Sequence, residues 1–203
     1  MEFHIENTQV YGLDKAIIAS GNAMRTVMDD NTKEATEKDY KRAITLGTTG
    51  TGEGHDNFLN GVIVQFDLYA PLYMWKQIQR YHFLDFISSQ STMHRLTRFD
   101  IKSQCTSDTD EVVVQRCQEI LDTYNELPEN VLSKKAMWRK LVASLPCGFV
   151  LGATMTTNYR QLKTMYFQRK NHKLKEWHEF CKWCEGLPHF EELCIKHDEG
   201  DVS

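Results

Sequence analysis

The sequence predicts a single α/β (α+β) domain, a mainly antiparallel sheet with flanking helices. Three observations carry this expectation. Residues 61–70, GVIVQFDLYA, alternate so that Val62, Val64, Phe66 and Leu68 share one face while Ile63, Gln65, Asp67 and Tyr69 share the other. A second apolar stretch, GFVLGATMTT at 148–157, reads as a buried strand. Around both, apolar residues recur at helical spacing. A chain of 203 residues, 41% hydrophobic and 26% charged, is long enough for one well-buried core and short for two.

Taken in order, FHIENTQVYG at 3–12 has strand character, and LDKAIIASGNAMRTVMDD at 13–30 carries apolar residues at helical spacing. TKEATEKDYKRAITL at 32–46 is a second helix, exposed and rich in charge. GTTGTGEGHDN then places glycine at 47, 50, 52 and 54. Such a run can cradle phosphate, but it lacks the Lys-Ser/Thr pair of a P-loop and equally describes a plain loop. After the strand at 61–70, Pro71 suits the first turn of a helix reaching about residue 83, because its missing N–H has no partner there. Ser107–Leu127 is a helix with a stripe through Val113, Cys117, Ile120, Tyr124 and Leu127, stopped by Pro128. A shorter helix covers Lys134–Ser144 and ends before Leu145-Pro146. The longest helix is expected from Asn158 to Cys184, ended by Gly186 and Pro188, with a polar tail from about residue 195.

Composition narrows the partners. The net charge is −4 with both signs interleaved, so no basic field exists to hold nucleic acid, whereas a small anion needs only a few local cations. No apolar run approaches the roughly 18 residues that cross a bilayer, and no leader pattern is visible, so a soluble, cytoplasmic protein without a membrane partner is expected. In that compartment the six cysteines are expected as thiols.

Two helical faces carry the candidate chemistry. On the last helix, Asn158, Arg169 and Lys173 fall on the same face as Leu162, Tyr166, Trp177, Phe180 and Cys184. An arginine in an apolar stripe is costly unless it snorkels, pairs with a carboxylate or meets an anionic ligand. On the helix after Pro71, Tyr73, Gln77 and Arg80 share a face near its end, which fits either a solvated edge or a binding surface. Cys181-Lys-Trp-Cys184 with Cys194-Ile-Lys-His197 has paired zinc-ligand spacing, yet the first pair lies in an amphipathic helix and no metal site is expected. Cys147 in LPCGF is read as a small buried thiol on a strand and not as a nucleophile.

The order and spacing of short segments resembles the flavin-dependent thymidylate synthase family, often called ThyX. That family's signature is Arg-His-Arg, seven residues, then Ser, after a strand, an Ala-Pro and a helix. Here Ala70-Pro71 opens the helix, Gln77 stands where the family has a substrate-contacting glutamine, and Arg80-Tyr81-His82 occupies the place of Arg-His-Arg. Gly54-His55 precedes Ala-Pro by the family interval, Asn158-Tyr159-Arg160 resembles Asn-Ala-Arg, and Arg169 falls eleven residues after that Asn. His189-Phe190-Glu191 resembles the closing segment. The likeness runs from about Gly54 to Phe190. It departs at Tyr81 and His82, at Ser91, which arrives one residue late, at Ser89 in place of a glutamate, and at Val142 in place of an arginine, with Arg139 and Lys140 one turn away.

The resemblance implies an enzyme in which reduced flavin relays a one-carbon unit from methylenetetrahydrofolate to C5 of dUMP, with NADPH as electron source. By the same resemblance Arg169 polarises the pyrimidine and is the catalytic residue, while Gln77, Arg80 and Ser91 hold the nucleotide. His55, Asn57, Tyr81, His82, Asn158, Arg160 and Thr164 are implied for the FAD or other flavin, and a homotetramer sharing its sites between subunits is implied as well. Tyr81 and His82 supply less charge than arginine, and losing one bidentate contact weakens an anion by about 1.5–3 kcal/mol, roughly ten- to a hundredfold. Hydroxymethylation in place of methylation, dCMP in place of dUMP, and a catalytically silent nucleotide-binding accessory protein remain open alternatives.

Overall fold

The chain is described by a computed structural model over residues 1–28, 34–50 and 52–195. The expected helix end at 29–30, helix start at 32–33, residue 51 of the glycine loop, the tail beyond 195 and His197 all lie outside the described residues. Four strands form one antiparallel sheet in the order β1-β2-β4-β3, with β1 at His4–Tyr11, β2 at Ile63–Pro71, β3 at Asp85–Ser89 and β4 at Val150–Asn158. From residue 62 into β2 the alternation holds: Val62, Val64, Phe66 and Leu68 are buried, and the intervening residues are half-buried. An inner strand shows this pattern because its backbone groups are paired on both sides and only side-chain faces remain to distinguish core from surface.

The sheet with flanking helices is the expected fold class. The helices are α1 (Leu13–Ala19), α2 (Glu37–Gly47), α3 (Leu72–Ile78), α4 (Thr92–Arg95), α5 (Ile101–Gln104), α6 (Glu111–Glu126), α7 (Leu132–Ser144), α8 (Tyr159–Arg169) and α9 (Lys175–Glu185). Short 3-10 helices occupy Asn22–Met24, His55–Gly61 and Leu96–Arg98. Local chemistry sets several ends. Thr36 and Asp39 form a reciprocal capping box at the start of α2, and the Thr36 bond, helped by Arg42, holds the Asp39 carboxyl down to about 2. Asp110 caps α6 through the Val112 N–H, and Leu127, extended ahead of Pro128, ends it.

The chain divides into two compact units. The first comprises Met1–His4, Asp67–Tyr81 and Phe86–Thr154; the second comprises Ile5–Phe66, His82–Asp85 and Met155–Ser203. In the first, α6 packs on α7 around Leu96, Ile101, Cys117, Ile120, Leu121, Leu141 and Phe149. In the second, Tyr159 and Phe190 meet edge to face with ring centroids 5.1 Å apart, and the Tyr159 hydroxyl donates to Pro188 O at 2.7 Å. Trp177, Phe180 and Leu59 are fully buried there, each such side chain contributing about 1.5–3 kcal/mol.

Several expectations are corrected. The long helix from 158 to 184 is two helices, α8 and α9, separated by Lys170–Leu174. There the His172 N–H donates to Arg169 O at 2.9 Å, and His172 Nδ1 accepts the Leu174 N–H at 3.1 Å, a local side-chain bond that replaces the helical ladder. Helix α3 stops at Ile78, where shorter-range bonds from Arg80 N–H to Gln77 O and Tyr81 N–H to Ile78 O close the turn. Helix α1 stops at Ala19, with the Ser20 hydroxyl bonded back to Ile17 O. The α6 stripe uses Leu121 in place of Val113, which is exposed. Cys147 is exposed, in the turn before β4, where Phe149 N–H bonds to Pro146 O. Strand β3 has no sequence signal because all five of its residues are exposed, so burial imposes no alternation.

Candidate functional site

In the second unit, an acidic residue between His55 and Asn57 organises the chemistry. Asp56 is 1% exposed, and burial of an ionised carboxylate is tolerated only with strong partners. Its Oδ2 lies 3.0 Å from Lys163 Nζ, and its Oδ1 accepts from Arg160 Nε at 3.0 Å. Lys163 is itself buried and also donates to Gly47 O at 2.8 Å and Thr49 O at 2.7 Å. All three ammonium protons are therefore placed, and the start of the glycine loop is tied to α8. Arg160 is anchored only through Nε, so both Nη groups are without a protein partner among the described residues. An arginine held in this way presents a fixed two-donor edge, the geometry that matches a phosphate oxygen pair.

The remaining residues of this unit divide by role. His55 and Asn57 are exposed on the 3-10 helix that carries Asp56, preceded by Gly54 in the left-handed region at φ 82 with open space at its Cβ position. Asn158 caps α8: its Oδ1 accepts the Gln161 N–H at 2.9 Å, leaving Nδ2 for another acceptor. The Thr164 hydroxyl donates to Arg160 O at 3.1 Å. Arg169, the last residue of α8, is half-buried with its guanidinium carbon 4.5 Å from the Trp177 ring centroid. Stacking on an indole accommodates a cation in an otherwise apolar surrounding. Burial and the nearby Arg169 charge both lower the His172 pKa, which favours the neutral imidazole whose Nδ1 accepts the Leu174 N–H.

His82 is also in this unit, exposed, and is followed by Phe83 at φ 60, an uncommon conformation for an aromatic residue. The Thr157 hydroxyl fixes the Phe83 carbonyl at 2.7 Å. Strain of this kind needs surrounding structure to hold it.

In the first unit, Gln77 is half-buried on α3, Arg80 is exposed just beyond its end, and Tyr81 is half-buried. Ser91 caps α4 by accepting the His94 N–H at 3.3 Å and lines a cavity of 270 Å³ with Gln90, Arg95, Arg98 and Phe99. Gln90 also lines a neighbouring cavity of 310 Å³ with Asp67, Ser88, Ser89 and Thr154. A larger cavity of 690 Å³ lies beside Tyr124, Lys135, Trp138 and Arg139. None of these three cavities is lined by Gln77 or Arg80.

Asp56, Lys163, Arg95 and Arg98 were not singled out by the sequence pattern. Lys163 had a visible signal, a lysine set among Leu162, Met165 and Tyr166 on the buried side of α8. Among the described residues no group of three or more His, Cys, Asp or Glu could hold a metal ion. Cys181 and Cys184 point into the core, where burial pushes the Cys181 thiol up to about 11 and the Cys184 thiol well above its ordinary value.

No family model matches the sequence, and no curated protein matches it. Among solved structures the chain is similar to the flavin-dependent thymidylate synthase ThyX from Helicobacter pylori complexed with FAD and dUMP, at 16% identity over 97% of this chain and 100% of that chain, with a TM-score of 0.68. A further structure of Helicobacter pylori thymidylate synthase X with FAD and dUMP gives 17% identity, the same coverage and a TM-score of 0.67. The UMP/dUMP methylase PolB from Streptomyces cacaoi, bound with 5-Br dUMP, gives 14% identity over 95% of this chain and 91% of that chain, with a TM-score of 0.63. At these identities the likeness shows the fold.

Proposed function

We propose that the chain is a flavin-dependent enzyme of the thymidylate synthase type that transfers a one-carbon unit to C5 of a pyrimidine deoxynucleotide. The observation that carries this reading is the Arg160 edge. It is fixed by buried Asp56 and Lys163, with both Nη groups unpartnered among the described residues, and it sits on a fold similar to proteins that bind FAD and dUMP. The residues present suit a phosphate-bearing cofactor: Arg160 would hold an anionic oxygen pair, the Asn158 Nδ2 would add a donor, and Thr164 would steady the turn beneath. His55 and Asn57 would border the ring, with Tyr81 and His82 as further cofactor contacts. Flavin, when bound, would relay the carbon from methylenetetrahydrofolate, with NADPH supplying electrons. Arg169 would polarise the pyrimidine so that C5 becomes nucleophilic, and Gln77, Arg80 and Ser91 would bind the nucleotide.

Assembly as a homotetramer belongs to the same reading, as does a cytoplasmic location. It is supported by the edge strand β3, whose Phe86 and Ile87 are 44% and 52% exposed. In a tetramer, residues of one site need not come from one chain. Purified protein mixed with FAD and passed over a desalting column should retain the yellow oxidised flavin, and dUMP labelled at C5 should then release its hydrogen when folate and NADPH are added. Failure to retain any flavin would overturn the enzyme reading.

Tyr81, His82 and Ser89 favour a second reading, a nucleotide-binding accessory protein without catalysis. Under it dUMP binds, flavin does not, and no C5 hydrogen is released.

A further inference from the structure

The 690 Å³ cavity beside α7 carries charge that the packing of the helix does not use. Helix α7 holds Lys134, Lys135, Arg139 and Lys140 and no acidic residue, in a chain of net charge −4. Lys134 and Lys135 stand in its first turn, where the positive end of the helix dipole disfavours a cation. Lys135 and Arg139 are four residues apart on one face, a spacing at which like charges repel. The side chains that α7 sets into the core are Leu141 and, in part, Met137 and Val142, so packing does not call for these cations.

One of the lysines fixes the walls. Lys134 is 9% exposed, and its Nζ donates to Leu127 O at 2.9 Å and to Glu129 Oε1 at 2.7 Å while lying 4.8 Å from the Tyr124 ring centroid. A single buried ammonium therefore ties the connection at 127–131 to α6 and α7, and the cavity is formed before any ligand arrives. The same connection carries Asn130 in the left-handed region at φ 65, which asparagine tolerates better than most residues. Among the residues that line the cavity, Glu129 is the one acid, and Lys134 engages it. Lys135 and Arg139 are exposed and have no ionic partner among the described residues. Tyr124 already carries Lys134 on its ring, whereas the half-buried Trp138 meets no other ring among the described residues. Val131, at the start of α7, offers no side-chain cap, so the first N–H groups of the helix add further donors. A preformed cavity that joins an indole to a forked cation and a point-charge cation suits a ligand with a flat ring and an anionic group.

We propose that this cavity binds a small aromatic anion, its ring against Trp138 and its carboxylate or phosphate held by Lys135 and Arg139. None of the residues assigned above to the flavin or the nucleotide lines it, so the inference stands independently of the proposed function.

The test reads Trp138 itself, by fluorine NMR of the full chain labelled with 5-fluorotryptophan. The sequence holds four tryptophans, and the signal missing from W138F belongs to Trp138, so binding elsewhere on the molecule is kept apart. The probes are 2-naphthyl phosphate, 2-naphthoate, neutral 2-naphthamide and the saturated decahydro-2-naphthoate, each titrated to millimolar concentration against the wild type and K135Q/R139Q. At least one naphthyl anion is expected to move the Trp138 signal of the wild type and to bind at least about tenfold more tightly than naphthamide. The saturated acid, which keeps the charge without the flat ring, should bind about two- to tenfold more weakly than 2-naphthoate. K135Q/R139Q should lose about tenfold or more for the anions, with naphthamide unchanged. The tighter of the two naphthyl anions identifies the anionic group as phosphate or carboxylate, and either result supports the site. A Trp138 signal that neither anion moves overturns the proposal. So does equal anion affinity in the wild type and K135Q/R139Q, or binding of naphthamide or the saturated acid as tight as that of the naphthyl anions. Should the double variant fail to fold, K135Q and R139Q are titrated singly, each expected to give part of the loss, and unchanged affinity in both overturns the proposal.

Discussion

Two cation sites, one in each compact unit, are built in opposite ways. In the second, Lys163 is 3% exposed at its side chain and paired with Asp56, while Arg160 is tied down at one nitrogen and open at two. In the first, Arg95 and Arg98 stand at the rim of a cavity with no acidic partner among the described residues. A buried ion pair costs desolvation that only well-placed hydrogen bonds offset, so it persists where position matters. An exposed arginine costs the fold almost nothing and is free to answer to a ligand. The difference separates charge that builds a scaffold from charge that waits for an anion, and each kind predicts its own response to mutation.

The largest effect should come from Lys163→Met. Removing the ammonium leaves Asp56 buried with only Arg160 and frees the Gly47 and Thr49 carbonyls, so unfolding free energy should drop by about 3–5 kcal/mol in a denaturant titration. A loss under about 1 kcal/mol would mean that the cluster opens to water and that the contrast between the two sites is false. Asp56→Asn should cost less, about 1–3 kcal/mol, because Lys163 keeps two carbonyl acceptors. It should also loosen Arg160, which retains its charge but not its orientation. Flavin affinity is therefore expected to fall by about tenfold, and unchanged affinity would remove the positioning role of Asp56.

How much of this could be read beforehand depends on what leaves a periodic trace. The β2 alternation was legible because an inner strand has one face in the core, and Val62, Val64, Phe66 and Leu68 announce it. Strand β3 left no such trace, since all its residues are exposed and its place depends on pairing with β4. The break between α8 and α9 was hidden for a different reason. Apolar residues continue in helical phase across it, and the interruption rests on one histidine side chain accepting one backbone N–H. At the candidate site, His55, Asn57 and Arg160 stood out by resemblance, but Asp56 between the first two did not, because burial of a carboxylate is a property of tertiary packing. Arg95 and Arg98 look like ordinary surface charge until the cavity beside Ser91 is seen.

A smaller effect is expected from pH at the α8–α9 break. His172 has its pKa lowered from 6.5 by burial first and then by the Arg169 charge and His178, with Glu176 acting against them. A base whose folded pKa is depressed contributes stability that is complete above the unfolded value and is lost as pH falls below about 6.5, since the unfolded chain takes up the proton first. Protonation also removes the acceptor for the Leu174 N–H. Melting temperature should therefore decline between about pH 7 and 5, and His172→Phe should flatten part of that slope while lowering stability at pH 7. An identical slope in the variant would assign the decline to other groups.

The smallest expected effect is the most informative about the first unit. Arg95→Ala and Arg98→Ala remove side chains that make no ion pair with any described residue, so each should shift unfolding free energy by no more than about 0.5 kcal/mol. Removing positive charge from a locally electropositive surface can even stabilise slightly, by relieving repulsion between the two guanidinium groups. That repulsion gives a second readout. If the pair faces one cavity, raising salt from about 0.05 to 0.5 M should screen it and stabilise the wild type more than the double variant, since the Debye length falls from roughly 14 to 4 Å. Equal salt responses would place the two arginines apart in solution and deprive the cavity of its combined charge. A loss above about 1.5 kcal/mol in either single variant would instead make that residue part of the scaffold, and the contrast between waiting and structural charge would no longer separate the two sites.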